Sequence, residues 1–245
     1  MTAVVSAYPL GGTKTGSAQR NSQAHGSLLE QALSSPPHWA SGQIQPWNER
    51  LFQDVTPFIT DKYWSSGHSI NVFTVVGTQH PDYVGMTWLE FLQRGKRMRE
   101  NLALHQSNRA YYLDTRAKTP PMYYVSLNGL DWYVAGDGNH RTCIARFDFH
   151  GESHSMLHGV NLEDYRVDWT LYRAYPLIQA TIARGESVTP VRERVSRSDT
   201  AGWMHERYSV RLLLKTRREE RLLDRIAVEA MLHKTPGLLG RILGG

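Results

Sequence analysis

Met122-Tyr123-Tyr124-Val125-Ser126-Leu127-Asn128-Gly129-Leu130-Asp131-Trp132-Tyr133-Val134-Ala135-Gly136-Asp137-Gly138-Asn139-His140-Arg141 is the stretch on which the fold turns. Two short runs rich in aromatic and β-branched residues flank Asn128-Gly129, the dipeptide best suited to the two positive φ angles of a type I′ turn, so the spacing predicts a β-hairpin. Its second strand ends at Gly136. Beyond it, Thr142-Cys143-Ile144-Ala145-Arg146-Phe147 has apolar residues at helical spacing, and Asn139 sits where an N-cap would satisfy free backbone N–H groups. Strand, glycine turn and helix start in that order make an anion site, because unbonded N–H groups and the positive end of the helix dipole attract phosphate.

Outward from this motif, Thr87 to Gln106 reads as a helix, with Gly95 as its weak point. Ile70 to Val76 reads as a strand, Trp47 to Trp64 as a short helix or packed loop, and Leu162 to Asp168 as another strand. A helix from about Thr170 to Arg184 follows, in which Pro176 marks a kink or the true start. A strand over Tyr208–Leu214 and a helix from about Arg217 to His233 complete the pattern, the helix carrying Leu223, Ile226, Ala227 and Ala230 on one face. Residues 1–44 are rich in Gly, Ser, Thr and Gln and lack an apolar period, so they read as a flexible arm. The expected organisation is an arm at 1–44, a nucleotide-binding domain at 45–185 and a basic, helical extension at 186–245.

Composition narrows the functional classes. With 245 residues, 40% apolar and 21% charged, the chain is an ordinary globular protein. A single cysteine, Cys143, excludes an intramolecular disulfide and a Cys-rich zinc module, and fits a reducing cytoplasm. Neither a basic secretory leader nor an apolar run of membrane-spanning length is present, so no membrane insertion is expected. Between Val191 and Arg241 there are twelve basic residues against seven acidic ones, equivalent to the whole net charge of +5. Arg211, Lys215, Arg217, Arg218, Arg221 and Arg225 are the candidate DNA-binding residues, although such charges also serve as a solvated surface.

The run Gly136-Asp137-Gly138-Asn139-His140-Arg141, its hairpin and its Ala145-containing helix resemble the ParB/sulfiredoxin superfamily over about residues 69–170. The resemblance implies an α+β fold with a mixed sheet, flanking helices and a nucleotide-phosphate turn. Two departures narrow it. Asn139 stands where sulfiredoxins have their reactive cysteine, and no helix-turn-helix pattern follows as in partitioning ParB proteins. Length, turn and basic C-terminus look more like the small plasmid-encoded fertility-inhibition proteins of the Osa and FiwA type. That resemblance implies binding and hydrolysis of ATP or another NTP with Mg2+, binding and cleavage of DNA, and a block on conjugative or T-DNA transfer by another element at the coupling protein of a type IV secretion system. The alternative is a non-catalytic, nucleotide-switched regulator of the ParB/KorB kind that binds DNA or protein.

Within the motif, Gly136 and Gly138 shape the turn, while Asn139, His140, Arg141 and Thr142 are the expected nucleotide ligands. Arg141 offers a planar guanidinium fork, His140 a titratable donor and Thr142 a hydroxyl. Asp137 is a Mg2+ ligand, a water-orienting base or a turn residue bonded to its own backbone. With His140 and Arg141 it forms the expected catalytic set. One site could in principle serve both reactions, with the C-terminal arginines holding the DNA; whether they line the same groove is a question for the structure. His150, His154 and His158, spaced by four, would share a helix face, but the intervening Gly and Ser favour a loop.

Overall fold

The computed structural model describes residues 27–234 as a mixed α+β structure around one nine-stranded sheet. Its strands are β1 (Gln45–Pro46), β2 (Ile59–Asn71), β3 (Val75–Thr78), β4 (Tyr123–Leu127), β5 (Asp131–Val134), β6 (Met156–Val167), β7 (Ser187–Thr200), β8 (Trp203–Lys215) and β9 (Glu220–Leu223). They lie in the order β1-β3-β5-β4-β6-β2-β8-β7, with β9 on the free end of β8. The pairs β1–β3, β3–β5 and β4–β6 are parallel and the rest antiparallel.

Around it lie α1 (Leu28–Ser34), α2 (Glu49–Val55), α3 (Trp88–Arg94), α4 (Met98–Ser107), α5 (Ala110–Leu113), α6 (Asn139–Gly151), α7 (Trp169–Thr181) and α8 (Arg225–Lys234). Side-chain alternation along the strands divides the apolar residues into two cores. Tyr124, Val134 and Leu162 stand opposite one another across β5, β4 and β6 and join Phe91, Leu92, Met98, Ile144 and Phe149 from α3, α4 and α6. Leu127 and Tyr165 share the other face and join Phe58, Leu171, Ile178, Leu212 and Val228. Because strand side chains alternate with period two, these helix layers cover opposite faces of the sheet.

The hairpin is as the sequence predicts. Asn128 and Gly129 have φ of 66° and 69°, the two positive values of a type I′ turn. Strand and glycine turn lead directly into α6, but Gly138 rather than Asn139 is its N-cap, at φ 123°. The Thr87–Gln106 helix is two helices broken at Gly95: a Thr87/Glu90 capping box starts α3, and a Cβ at Gly95 would collide with the Phe91 ring.

Several expectations give way. The arm at 1–44 is structured wherever it is described; its residues 1–26 lie outside the described part. From Ser27 the chain forms α1 and a 3-10 helix over His38–Ser41, and Ala32, Ala40 and Ile44 are buried. Burial against a core overrides polar composition here. The Ile70–Val76 strand is interrupted by a 3-10 turn at Val72–Thr74, where the Asn71 side chain accepts from Phe73 N–H. The extension at 186–245, expected as one strand and a helix, is mostly strand where it is described: the expected Tyr208–Leu214 strand lies within β8, β7 and β9 are added beside it, the described helix covers Arg225–Lys234, and β8 pairs directly with β2. Leu223 belongs to β9, Ile226 is exposed, and Val228 and Leu232 form the buried face of α8. α7 runs through Pro176. The three histidines separate: His150 on α6, His154 in the following loop, and His158 on β6 with its Nδ1 2.7 Å from Ser69 Oγ.

The N-terminal strap is held by an unusual contact. Arg146 of α6, 5% exposed, stacks between the rings of Trp39 (4.6 Å) and Trp88 (4.1 Å) and donates to the Val75 carbonyl. Burial pulls its pKa down to about 10, so the charge is costly where it stands. Arg146→Ala is expected to lower unfolding stability by about 3 kcal/mol by opening the Trp39–Trp88 slot. Arg146→Met should keep most of it, because an apolar chain of similar length fills the slot without a charge to desolvate; urea denaturation of both variants checks this ordering.

Candidate phosphate-binding cleft

A cleft of about 480 Å³ opens at the N-terminus of α6, walled by the Gly136–Arg141 turn on one side and by the α3–α4 break on the other. The sequence dictates the first wall. Gly136, at φ 78°, ends the strand in a conformation that L side chains avoid. At Gly138 a Cβ would press on Met122 at 3.3 Å. An N-cap without a side chain leaves the N–H groups of Asn139, His140 and Arg141 without capping acceptors, whereas Thr142 N–H bonds Gly138 O at 2.8 Å. The three residues that carry these donors line the cleft.

The second wall comes from Gly95. By ending α3, it turns the chain so that Lys96 and Arg97 face the cleft before α4 begins at Met98. Both are exposed, and neither makes an ion pair among the described residues. His80, Asp82, Tyr83 and Asn101 complete the lining. None of these six was identified from the sequence as a site residue. The available signal was the glycine that breaks an apolar helical pattern next to two adjacent cations.

The expected ligands fare unequally. Arg141 is 11% exposed at its side chain and wholly engaged: it donates to Tyr111 Oη, Pro120 O and, at 3.1 Å, Pro121 O, and pairs with Asp137 at 2.8 Å. It ties the segment before β4 to α6 and has little left for a phosphate. Its pKa is raised, since Tyr111 and Asp137 together outweigh burial. Asp137 takes the turn role, its Oδ1 accepting from Gly138 N–H at 2.6 Å while Oδ2 holds Arg141. Both carboxylate oxygens thus meet protein donors, and no cluster of three metal-ligating side chains occurs among the described residues. Thr142 is sealed: fully buried, its hydroxyl bonds Gly138 O at 2.8 Å and Tyr124 Oη at 2.7 Å, so it cannot meet phosphate or Mg2+.

His140 remains. Its ring lies edge-on to Tyr83 at 5.3 Å and tilted on Phe91 at 5.1 Å, with Nε2 buried and unbonded. Only Nδ1 can then meet a ligand. Burial is the main cause of its lowered pKa, with the Arg97 charge adding and Asp137 opposing, so the imidazole is neutral at pH 7. Cys143 is buried and its thiol is pushed far up by desolvation, which leaves it inert.

The C-terminal arginines lie elsewhere. Arg211 pairs with Glu193, Lys215 with Glu220 and Arg225 with Glu229. Arg217 donates to the Arg184 carbonyl, and Arg218 and Arg221 are exposed without a carboxylate partner among the described residues. They sit at the far end of β8. In register, Val134 beside the cleft matches Tyr124, Leu162, Ser65 and then Trp203, whereas Lys215 lies about 40 Å further along extended strand. The two sets do not share a groove. Of the aromatics near the motif, Trp88, Tyr112 and Tyr124 are core residues and Tyr123 is exposed.

Comparison with protein-family models, curated proteins and solved structures gives no match. The chemistry of the cleft therefore has to carry the functional reading. No helix among the described residues is long and apolar enough to cross a membrane.

Proposed function

We propose that the cleft binds the phosphates of a nucleotide and that the protein is a nucleotide-dependent enzyme acting on DNA. One observation carries the reading: the residues that bear the uncapped N–H groups of α6 line the same cavity of about 480 Å³ as two unpaired cations, Lys96 and Arg97. Donors on both walls suit a chain of phosphates better than a single anion. The resemblance to plasmid fertility-inhibition proteins of the ParB/sulfiredoxin superfamily supplies the rest: ATP or another NTP as ligand with Mg2+, hydrolysis, DNA cleavage, and interference with conjugative or T-DNA transfer in the cytoplasm through a type IV coupling protein. Mg2+ bound to the phosphates would offset their charge beside Asp137, whose carboxylate otherwise opposes them.

His140 is the group available to accept, at Nδ1, the proton of a water attacking phosphorus. Incubating the wild type and His140→Ala with ATP and with plasmid DNA separates enzyme from switch: turnover lost in the variant with nucleotide binding kept supports catalysis. The engagement of Asp137, Arg141 and Thr142 by protein groups favours the second reading, in which nucleotide only sets conformation. Binding without turnover in the wild type would establish it.

The pH profile tests the same residue. A base must be neutral to act, and the folded protein depresses the pKa of His140 below the ordinary 6.5. The acid limb of kcat/KM for ATP hydrolysis is therefore expected below pH 6.5, with activity kept as pH falls through that value. A midpoint above 6.5 removes His140 from the role.

A further inference from the structure

Among the described residues, one face of β8 carries exposed side chains that no helix covers. α7 and α8 cover the side of β8 that carries Val210 and Leu212, both buried, while Trp203, Arg207 and Lys215, which point the other way, are exposed. On that open face β2, β8 and β7 bring Tyr63 opposite His205 and His205 opposite Ser198, with Ser65, Trp203 and Thr200 in the next row. The Tyr63 and His205 rings are stacked at 4.1 Å and 13°, and the Trp203 ring lies 6.0 Å from His205. Trp203 is 38% exposed.

We infer that this face binds single-stranded nucleic acid, with unpaired bases stacked on the Tyr63–His205–Trp203 platform and phosphates held by Arg207 and the β7 hydroxyls. Open sheet faces with adjacent rings suit unpaired bases, because each base has a π-face that can stack on an aromatic side chain. A duplex keeps its bases inside and gains nothing from such rings. The electrostatics are compatible. Asp61 on this face is held by His205 at 2.8 Å, Asp164 by Arg166 at 2.9 Å, and Glu193 by Arg211. Asp164 and Glu193 are thus answered by arginines and Asp61 is hydrogen-bonded to His205, while the Arg207 side chain is 67% exposed, with its nearest nitrogen 3.9 Å from Asp61 and its outer donors free. The His205 ring, 18% exposed and stacked on Tyr63, is fixed by Asp61, so a base meets the outer faces of a preorganised platform. An apolar protein partner would want a greasier surface than one built of serine, threonine, histidine and arginine.

This inference refines the DNA-binding part of the proposed function and does not use the phosphate cleft. Labelled dT12 and a 12-base-pair duplex, titrated into the full chain, test it. The wild type is expected to prefer the single strand, and Trp203→Ala/His205→Ala to lose tenfold or more in dT12 affinity while duplex and ATP affinities stay unchanged. Arg207→Ala should lower dT12 affinity and flatten its salt dependence. As a measurement independent of variant folding, 5-bromouracil crosslinking to the wild type should mark peptides containing Tyr63 or Trp203. Equal affinity for both nucleic acids, an unchanged dT12 affinity in the double variant, or crosslinks confined to other segments would each overturn it. Loss of ATP binding in Lys96→Ala with dT12 binding retained keeps the two sites distinct; failure of ATP binding in the wild type sinks the cleft assignment alone.

Discussion

Replacing Lys96 and Arg97 together by alanine is expected to weaken ATP affinity about a hundredfold, the effect of removing two charge-assisted contacts of roughly 1.5 kcal/mol each. The fold should be untouched: both side chains are exposed and neither holds an ion pair among the described residues. Calorimetric titration with ATP, ADP and AMP checks this. The loss should be greatest for ATP if the two cations meet its distal phosphates, and it should shrink as ionic strength rises in the wild type. Unchanged ATP affinity in the double variant would remove the α3–α4 break from the site. The motif at the start of α6 would then have to hold phosphate by backbone N–H groups alone.

Arg141→Ala is expected to act on stability. Its guanidinium bonds Tyr111, Pro120, Pro121 and Asp137, so alanine releases the segment before β4 from α6. Because the carbonyls of Pro120 and Pro121 can partly rehydrate, the cost is roughly 2–3 kcal/mol, below that of a fully buried network. Arg141→Lys recovers little, since one ammonium cannot span acceptors on two sides of a planar fork. Urea denaturation should show a lower midpoint with an unchanged slope. Normal stability with lost ATP affinity would restore the phosphate-ligand role expected from the sequence.

The two predictions exchange roles that the sequence alone assigned the other way. An arginine one residue after a histidine at a helix start has the composition of a phosphate ligand. What diverts Arg141 is a pair of carbonyls at Pro120 and Pro121, which no local pattern places beside it. Thr142 is diverted by Tyr124, whose hydroxyl reaches it across the β4–α6 interface. Conversely, Lys96 and Arg97 read as solvated helix charges until the break at Gly95 is known to turn them inward. The N-terminal strap was illegible for a similar reason: Trp39 and Ile44 look isolated in a polar stretch, and only Arg146, Trp88 and the core supply what they bury against.

Local chemistry did determine a great deal. Asn128-Gly129 allowed only a tight hairpin, because few residues tolerate two successive positive φ angles, and Gly136 and Gly138 forced the strand to end where α6 begins. These are properties of adjacent residues, so the sequence contains them. Tertiary structure alone decided which side chains the cleft retains, that β8 joins the sheet beside β2 with β7 and β9 added to it, and that among the described residues one face of β2 and β8 stays open. Those outcomes depend on strand order and on which carbonyls, rings and carboxylates arrive from distant segments. A hydrogen-bonding group binds whichever partner the fold brings within about 3 Å, and spacing along the chain does not set that distance.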